Sequence, residues 1–114
     1  MKISEDGQLL RIFIGESDSW HGKPLFEAII LKARETGLAG ATMLRGLMGF
    51  GAASRIHTAR ILRLSEDLPI VIEIVDSQEK IDAFLPVIDE MMQDGLVTIE
   101  KARVIQYRRD SRAK

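Results

Sequence analysis

The sequence predicts an α+β fold in which strands and helices alternate as β-α-β-β-α-β. Three observations carry this. Two stretches, 8–16 and about 68–76, alternate aliphatic residues with the period of a strand. Two others carry apolar residues at helical spacing and run into glycine turns at Gly37 and Gly95. Between the halves lies a glycine ladder, Gly46-x-x-Gly49-x-Gly51, that suits neither element.

Residues 8–16 read as the first strand. Leu10, Ile12 and Ile14 share one face, and Leu9, Arg11 and Phe13 the other. Gly15 to Lys23 is a polar connection containing Trp20 and His21. A helix is expected over about 24–36. Pro24 suits its first turn, where no N–H is needed. Leu25, Phe26, Ile29, Ile30 and Ala33 form its apolar stripe, and Gly37 ends it.

The second strand is expected over 40–50, entering the glycine ladder. The third, about 68–76, is rich in β-branched residues and points Ile70, Ile72 and Ile74 one way. Pro69 is tolerated at its start. Ser77 is a good N-cap for the second helix. Ile81, Phe84, Leu85, Ile88 and Met92 are that helix's buried stripe. Pro86 falls inside the pattern and is expected to kink the helix or reset its start. Asp94-Gly95 is the next turn, about 96–108 the last strand, and Arg109 to Lys114 a basic tail.

Two β-α-β halves with right-handed crossovers build a four-stranded antiparallel sheet with both helices on one face, the ferredoxin-like arrangement. The opposite face carries Leu9, Phe13, Val71 and Val75. It is too apolar for a solvated surface, so packing against copies of the same chain is expected.

With 114 residues, a single domain over 1–114 is expected. A net charge of −1 gives no overall field toward nucleic acid or acidic lipid. Charge is nonetheless segregated. No acid occurs between Glu35 and Glu66, whereas nine acids and one base lie from Glu66 to Asp94, and six bases and one acid from Lys101 to Lys114. There is no cysteine, hence no disulfide, thiol catalysis or cysteine metal site. Residues 1–6 lack an apolar core of signal-peptide length, and no apolar run reaches membrane-spanning length, so the expected location is cytoplasmic.

The glycine ladder does not match the dinucleotide fingerprint, whose spacing is reversed, and no P-loop occurs. Glycines together with Arg55, His57, Arg60 and Arg63 favour an anion, or form a flexible loop with a solvated basic face. His21 and His57 have no metal spacing. Trp20 reads as a packing residue. Glu73 reads as the partner of an arginine across the sheet or a subunit boundary. The serines show no triad.

Gly37-Leu38-Ala39-Gly40-Ala41-Thr42, Gly49-Phe50-Gly51 and His57-Thr58 resemble the sequence around the large loop of PII nitrogen-regulatory signalling proteins. Leu68-Pro69 with Ile72-Glu73-Ile74-Val75 resembles their third strand, and Ala102-Arg103-Val104-Ile105 their last. Gly40-Ala41-Thr42 and Arg45-Gly46 look closer still to a PII-like family known as domain of unknown function 190. The resemblance covers nearly the whole chain.

It implies a homotrimer that binds an adenine nucleotide in the clefts between subunits, needs no cofactor or metal and catalyses nothing. The long loop would report occupancy to a partner, such as a transporter, channel or enzyme. By that resemblance Thr42 contacts the base, and Gly49, Phe50 and Gly51 line the phosphate side with Gly46 in the same ladder. Arg108 binds phosphate. Arg55 and Arg103 are read as candidate cations of the nucleotide site that would compensate for missing ones. Two departures stand out. A second phosphate-binding arginine falls at Gln106, and a lysine of the turn before the last strand falls at Gly95. A charged hydrogen bond is worth roughly 1.5–3 kcal/mol, so losing two weakens triphosphate binding most. AMP or ADP is therefore expected over ATP. The loop lacks a tyrosine, the only one being Tyr107, so uridylylation and a 2-oxoglutarate response are not expected. The competing reading is a ligand-free structural or metal-tolerance-type trimer of the same fold.

Overall fold

The computed structural model describes residues 6–50 and 67–108. In chain order they form β1 (Asp6–Gly15), β2 (Ser19–Trp20), β3 (Lys23–Pro24), α1 (Leu25–Glu35), β4 (Thr42–Arg45), β5 (Pro69–Ser77), α2 (Gln78–Met91) and β6 (Leu96–Arg103). The main sheet has the order β4-β5-β1-β6, every pairing antiparallel. This is the expected ferredoxin-like topology, with β2 and β3 added as a small hairpin.

Alternation in β1 and β5 sets the core. Leu10 lies opposite Ile74, Ile12 opposite Ile72 and Ile14 opposite Ile70, all on one face and all buried. Each such side chain contributes roughly 1.5–3 kcal/mol when removed from water. The helices cover this face. α1 buries Leu25, Ala28, Ile29 and Ala33, and α2 buries Ile81, Phe84, Ile88 and Met91. Phe26, Ile30, Leu85 and Met92, expected within the stripes, pack half-buried at their margins.

Helix ends follow local chemistry. Gly37 at φ +81 closes α1, with its N–H on the Arg34 carbonyl (3.2 Å) and the Leu38 N–H on the Ala33 carbonyl (3.1 Å). That is a Schellman pattern, and the positive φ explains the glycine. At α2 the Ser77 hydroxyl accepts from the Lys80 N–H at 3.3 Å, as its N-cap role predicts.

Four expectations are corrected. Pro86 does not reset the start of α2, which runs over residues 78–91. Pro86 and Asp82, whose carbonyl loses its helical donor, are both exposed, so water can serve that carbonyl while the buried stripe carries the helix through. The second strand stops at Arg45 instead of 50 because its partner runs out. The Gly46 N–H takes the Pro69 carbonyl at 2.7 Å, and the Leu68 carbonyl is already bound by the Glu16 N–H at 2.8 Å. The last strand stops at Arg103, which pairs with Asp6, and 104–108 is irregular. The connection after Gly15 is partly ordered as the β2–β3 hairpin, turned by His21 (φ +50) and Gly22 (φ +80). Positive φ at both central residues is the signature of a type I′ turn. The Trp20 and His21 rings stack with centroids 3.9 Å apart.

The helix-free face is mixed rather than apolar. Leu9, Phe13 and Val71 are half-buried there, and Leu44, Val75 and Leu96 are exposed. Among them Arg11 bridges three strands, donating to Glu73 on β5 (3.0 Å) and Glu100 on β6 (2.8 Å). The expected arginine partner of Glu73 is therefore Arg11, across the sheet. The hydrogen bond to Glu73 is the main cause that raises the Arg11 pKa above its ordinary value, against opposing desolvation, so the group stays charged.

Asp76 is the one buried charged residue among those described, 2% exposed. Its carboxylate accepts the Ala39 N–H (2.9 Å) and the Ser77 N–H (2.7 Å). Replacing it with alanine strands a buried donor, a loss of about 1–3 kcal/mol. Urea denaturation should show Asp76→Ala losing that much, Asp76→Asn less because one acceptor remains, and exposed Asp82→Ala almost nothing.

Candidate functional site

The candidate site is built around the entrance and exit of β4. Thr42 opens the strand, exposed, and pairs with Glu73 on the helix-free face. Three residues upstream, Ala39 is held from two sides. Its N–H goes to Asp76, and its carbonyl accepts the Tyr107 hydroxyl at 3.4 Å. Gly37 is fixed beside it by Lys80, whose Nζ donates to the Gly37 carbonyl at 3.1 Å.

The Tyr107 contact determines which predicted residues meet. Arg103 ends β6, one edge of the sheet, while Thr42 begins β4, the other edge. Three inter-strand steps, roughly 14 Å across the sheet, and an offset along the strands separate them, since Thr42 lies level with Arg11 and Arg103 with Asp6. From Arg103 the chain crosses back. Val104 lies over buried Gly7, where an added Cβ would approach its Cγ2 to 2.9 Å, and Tyr107 reaches Ala39. Tyr107 thereby ties the segment that carries Arg108 to the chain just before β4, and Arg103 remains at the far edge. Arg103 is exposed.

At the exit of β4, Gly46 and Gly49 have a packing role. A Cβ at Gly46 would come 2.7 Å from Pro69 Cγ, and one at Gly49 3.1 Å. Neither has a positive φ. The Gly46 N–H is engaged with Pro69, so it does not face an anion. Phe50 is 74% exposed. Gly51, Arg55, His57, Arg60 and Arg63 lie outside the described residues.

One turn braces both flanks of the long loop. Glu16 pairs with Arg45 on the β4 side. Ser17 donates from its N–H (3.1 Å) and its hydroxyl (2.7 Å) to Asp67 on the β5 side. Sequence reading missed this brace and the Asp76 anchor. Their signals were present, as Glu16-Ser17-Asp18 in a tight turn and an aspartate on the isoleucine face of β5.

Gly95 has φ +130, and a Cβ there would meet the Phe13 carbonyl oxygen at 2.6 Å. The turn before β6 thus excludes the lysine that the resemblance places here. An open groove of about 690 Å³ between α2 and β6 is lined by Leu85, Ile88, Met92 and Val97 with Asp82, Asp89 and Asp94. None of the predicted site residues lines it, and its carboxylates oppose a phosphate. Among the described residues no cluster of His, Asp or Glu could hold a metal ion, and no helix is long and apolar enough to cross a membrane.

This architecture is that of PII-like proteins. A PII-like signalling protein from Thermus thermophilus superposes with a TM-score of 0.63 at 18% identity, covering 92% of this chain and 94% of that one. CPII from Thiomonas intermedia, bound to ADP, AMP and acetate, gives 0.57 at 17% identity, covering 93% and 94%. The Bacillus subtilis GlnK–ATP complex gives 0.57 at 13%, covering 88% and 84%. Residues 7–104 match the model of DUF190, described as Uncharacterized ACR, and the chain belongs to that family. A UPF0166 protein of Aquifex aeolicus is 41% identical over 98 residues, 86% of this chain and 92% of its own length. One from Methanocaldococcus jannaschii is 33% identical over 98 residues, 85% and 90%.

The glycine packing is testable by a double-mutant cycle. Gly46→Ala should cost about 1–3 kcal/mol through overpacking. Pro69→Ala in the same chain should restore at least about 0.5 kcal/mol of that loss. Strictly additive losses in denaturant melts would show that the proline ring is not the obstacle.

Proposed function

We propose that this chain is a PII-like regulatory protein that binds an adenine nucleotide, AMP or ADP in preference to ATP, between the subunits of a homotrimer. It acts without catalysis and without a metal or cofactor. The loop after β4 reports occupancy to a partner protein in the cytoplasm, a transport protein being the partner class that the family resemblance suggests. Thr42 contacts the base. Gly49, Phe50 and Gly51 line the phosphate side, and Arg108 is the principal cation. Gly46 shapes that wall through its backbone, and Arg55 and Arg103 supply further positive charge.

The observation that carries this reading is the return of the C-terminal segment to the entrance of β4, with Tyr107 on Ala39. Thr42 follows Ala39 by three residues and Arg108 follows Tyr107 by one, which supports assigning the proposed base contact and the proposed phosphate cation to one site. Arg103 sits at the opposite sheet edge. It can serve such a site only from a neighbouring copy whose β6 edge approaches this β4 edge, which is why an assembly is part of the reading. The half-exposed apolar residues around Arg11 supply a surface for it. The nucleotides held by the structural neighbours, ADP and AMP in CPII and ATP in GlnK, support the ligand class. The preference for fewer phosphates is supported by the absence of cations at Gly95 and Gln106.

Native mass spectrometry of the protein as isolated, followed by calorimetric titration, tests the proposal. A trimer should appear, and AMP or ADP should displace ATP. Arg108→Ala should weaken AMP binding by about 10- to 150-fold, the equivalent of one charged hydrogen bond. Thr42→Ala should weaken it less. A protein that binds no adenine nucleotide at millimolar concentration, or that binds ATP more tightly than AMP, would overturn the corresponding part.

A further inference from the structure

Ala39 is held twice over, and the nucleotide reading gives the Tyr107 side chain no role of its own in binding. Its N–H is fixed by a carboxylate that is itself buried, and its carbonyl is taken by a side chain from the far end of the chain, 68 residues away in sequence. Tyr107 is the only tyrosine in the protein. It lies in an irregular stretch, 104–108, that has no strand partner among the described residues. Upstream, the stretch is seated by Val104 against Gly7, a position where any side chain would collide. Beyond that seat, the Tyr107 hydroxyl is its hydrogen bond to the rest of the molecule among the described contacts.

We infer that Tyr107 is a positioning residue: it latches the C-terminal segment to the entrance of β4 and so sets where Arg108 stands relative to Thr42. This deepens the nucleotide reading above and rests on it. The latch is mechanical. Asp76 makes Ala39 a fixed point, because a buried carboxylate with two backbone donors cannot move without leaving them unsatisfied. Thr42 follows three residues later on a strand paired to β5, so it is fixed with Ala39. Arg108 has no such frame of its own. An irregular segment without ladder bonds samples many conformations, and a cation that must be placed on a phosphate loses affinity in proportion to the fraction of time it is elsewhere. One hydrogen bond to a fixed point raises that fraction.

The latch predicts an effect confined to the phosphate end of the ligand. Thr42 lies on the fixed side, so recognition of the base does not depend on Tyr107. Arg108 lies on the latched side, so recognition of phosphate does. A tyrosine that merely stabilised the fold would weaken both together.

The experiment is calorimetric titration of the full-length protein and Tyr107→Phe with AMP and with adenosine. Phenylalanine keeps the ring and removes only the hydroxyl. Tyr107→Phe should raise the AMP dissociation constant about three- to tenfold, the loss expected for one neutral hydrogen bond. The adenosine constant should stay unchanged. Amide hydrogen exchange in the ligand-free proteins should at the same time be faster over 104–108 in Tyr107→Phe, with the exchange of α1 and β5 unaltered. Equal AMP affinities in the two proteins, or a parallel loss for AMP and adenosine, would overturn the latch and leave the nucleotide reading standing. If the unmutated protein binds neither ligand, the nucleotide reading fails and takes this role of Tyr107 with it. Unchanged exchange over 104–108 would overturn the latch whatever the ligand does.

Discussion

A carboxylate enclosed by an aliphatic core is costly unless its oxygens are occupied, and the geometry around Asp76 follows from that requirement. Asp76 is the last residue of β5 before the capping serine of α2, on the face otherwise made of isoleucines. The two N–H groups that occupy it come from Ser77 and from Ala39. The first fixes the turn into α2. The second fixes the chain between α1 and β4, together with the Gly37 turn, Lys80 and Tyr107. One residue thus registers both crossovers of the fold against each other, and the segment that becomes β4 starts from a set position.

The sheet's free face solves a different problem. A strictly apolar surface of this size would collapse onto any available partner, whereas a strictly polar one could not be shared with a copy. Arg11 with Glu73 and Glu100 puts a three-strand ionic row among half-exposed leucine, phenylalanine and valine. Such pairs add little stability at partly solvated positions. They do impose register, because a copy docking on this face must leave the row paired and meet the apolar residues around it.

Much of the fold was legible because its signals are local. Alternation located β1 and β5, serine located the start of α2, and Gly37 located the end of α1. The isoleucine face was read residue by residue, and Arg11 met Glu73 as an arginine partner was expected to. What was misread depended on the neighbour. β4 looked apolar to residue 50, yet a strand extends only as far as its partner has groups to offer, and β5 begins with a proline. A reset of α2 at Pro86 was one reading because the proline's cost was judged without knowing that it faces water. The β2–β3 hairpin was missed although His21-Gly22 between Trp20 and Lys23 is a turn signal. Of the candidate site, the sequence disclosed residue types, and the resemblance implied roles for them. The contact between Tyr107 and the Ala39 carbonyl, 68 residues away, is one that no local pattern encodes.

The turn at Gly95 carries an implication for how this chain can change. Its backbone runs so near the Phe13 carbonyl that position 95 has no room for a first side-chain carbon, and its φ disfavours one as well. Substitution at a single codon therefore cannot introduce a cation there. The strand start and the β1 terminus beside it would have to be rebuilt together. Elsewhere a lineage drifts between residue types by small steps, but at this turn it meets a barrier. Descendants of this sequence that come to need more positive charge must find it on another segment.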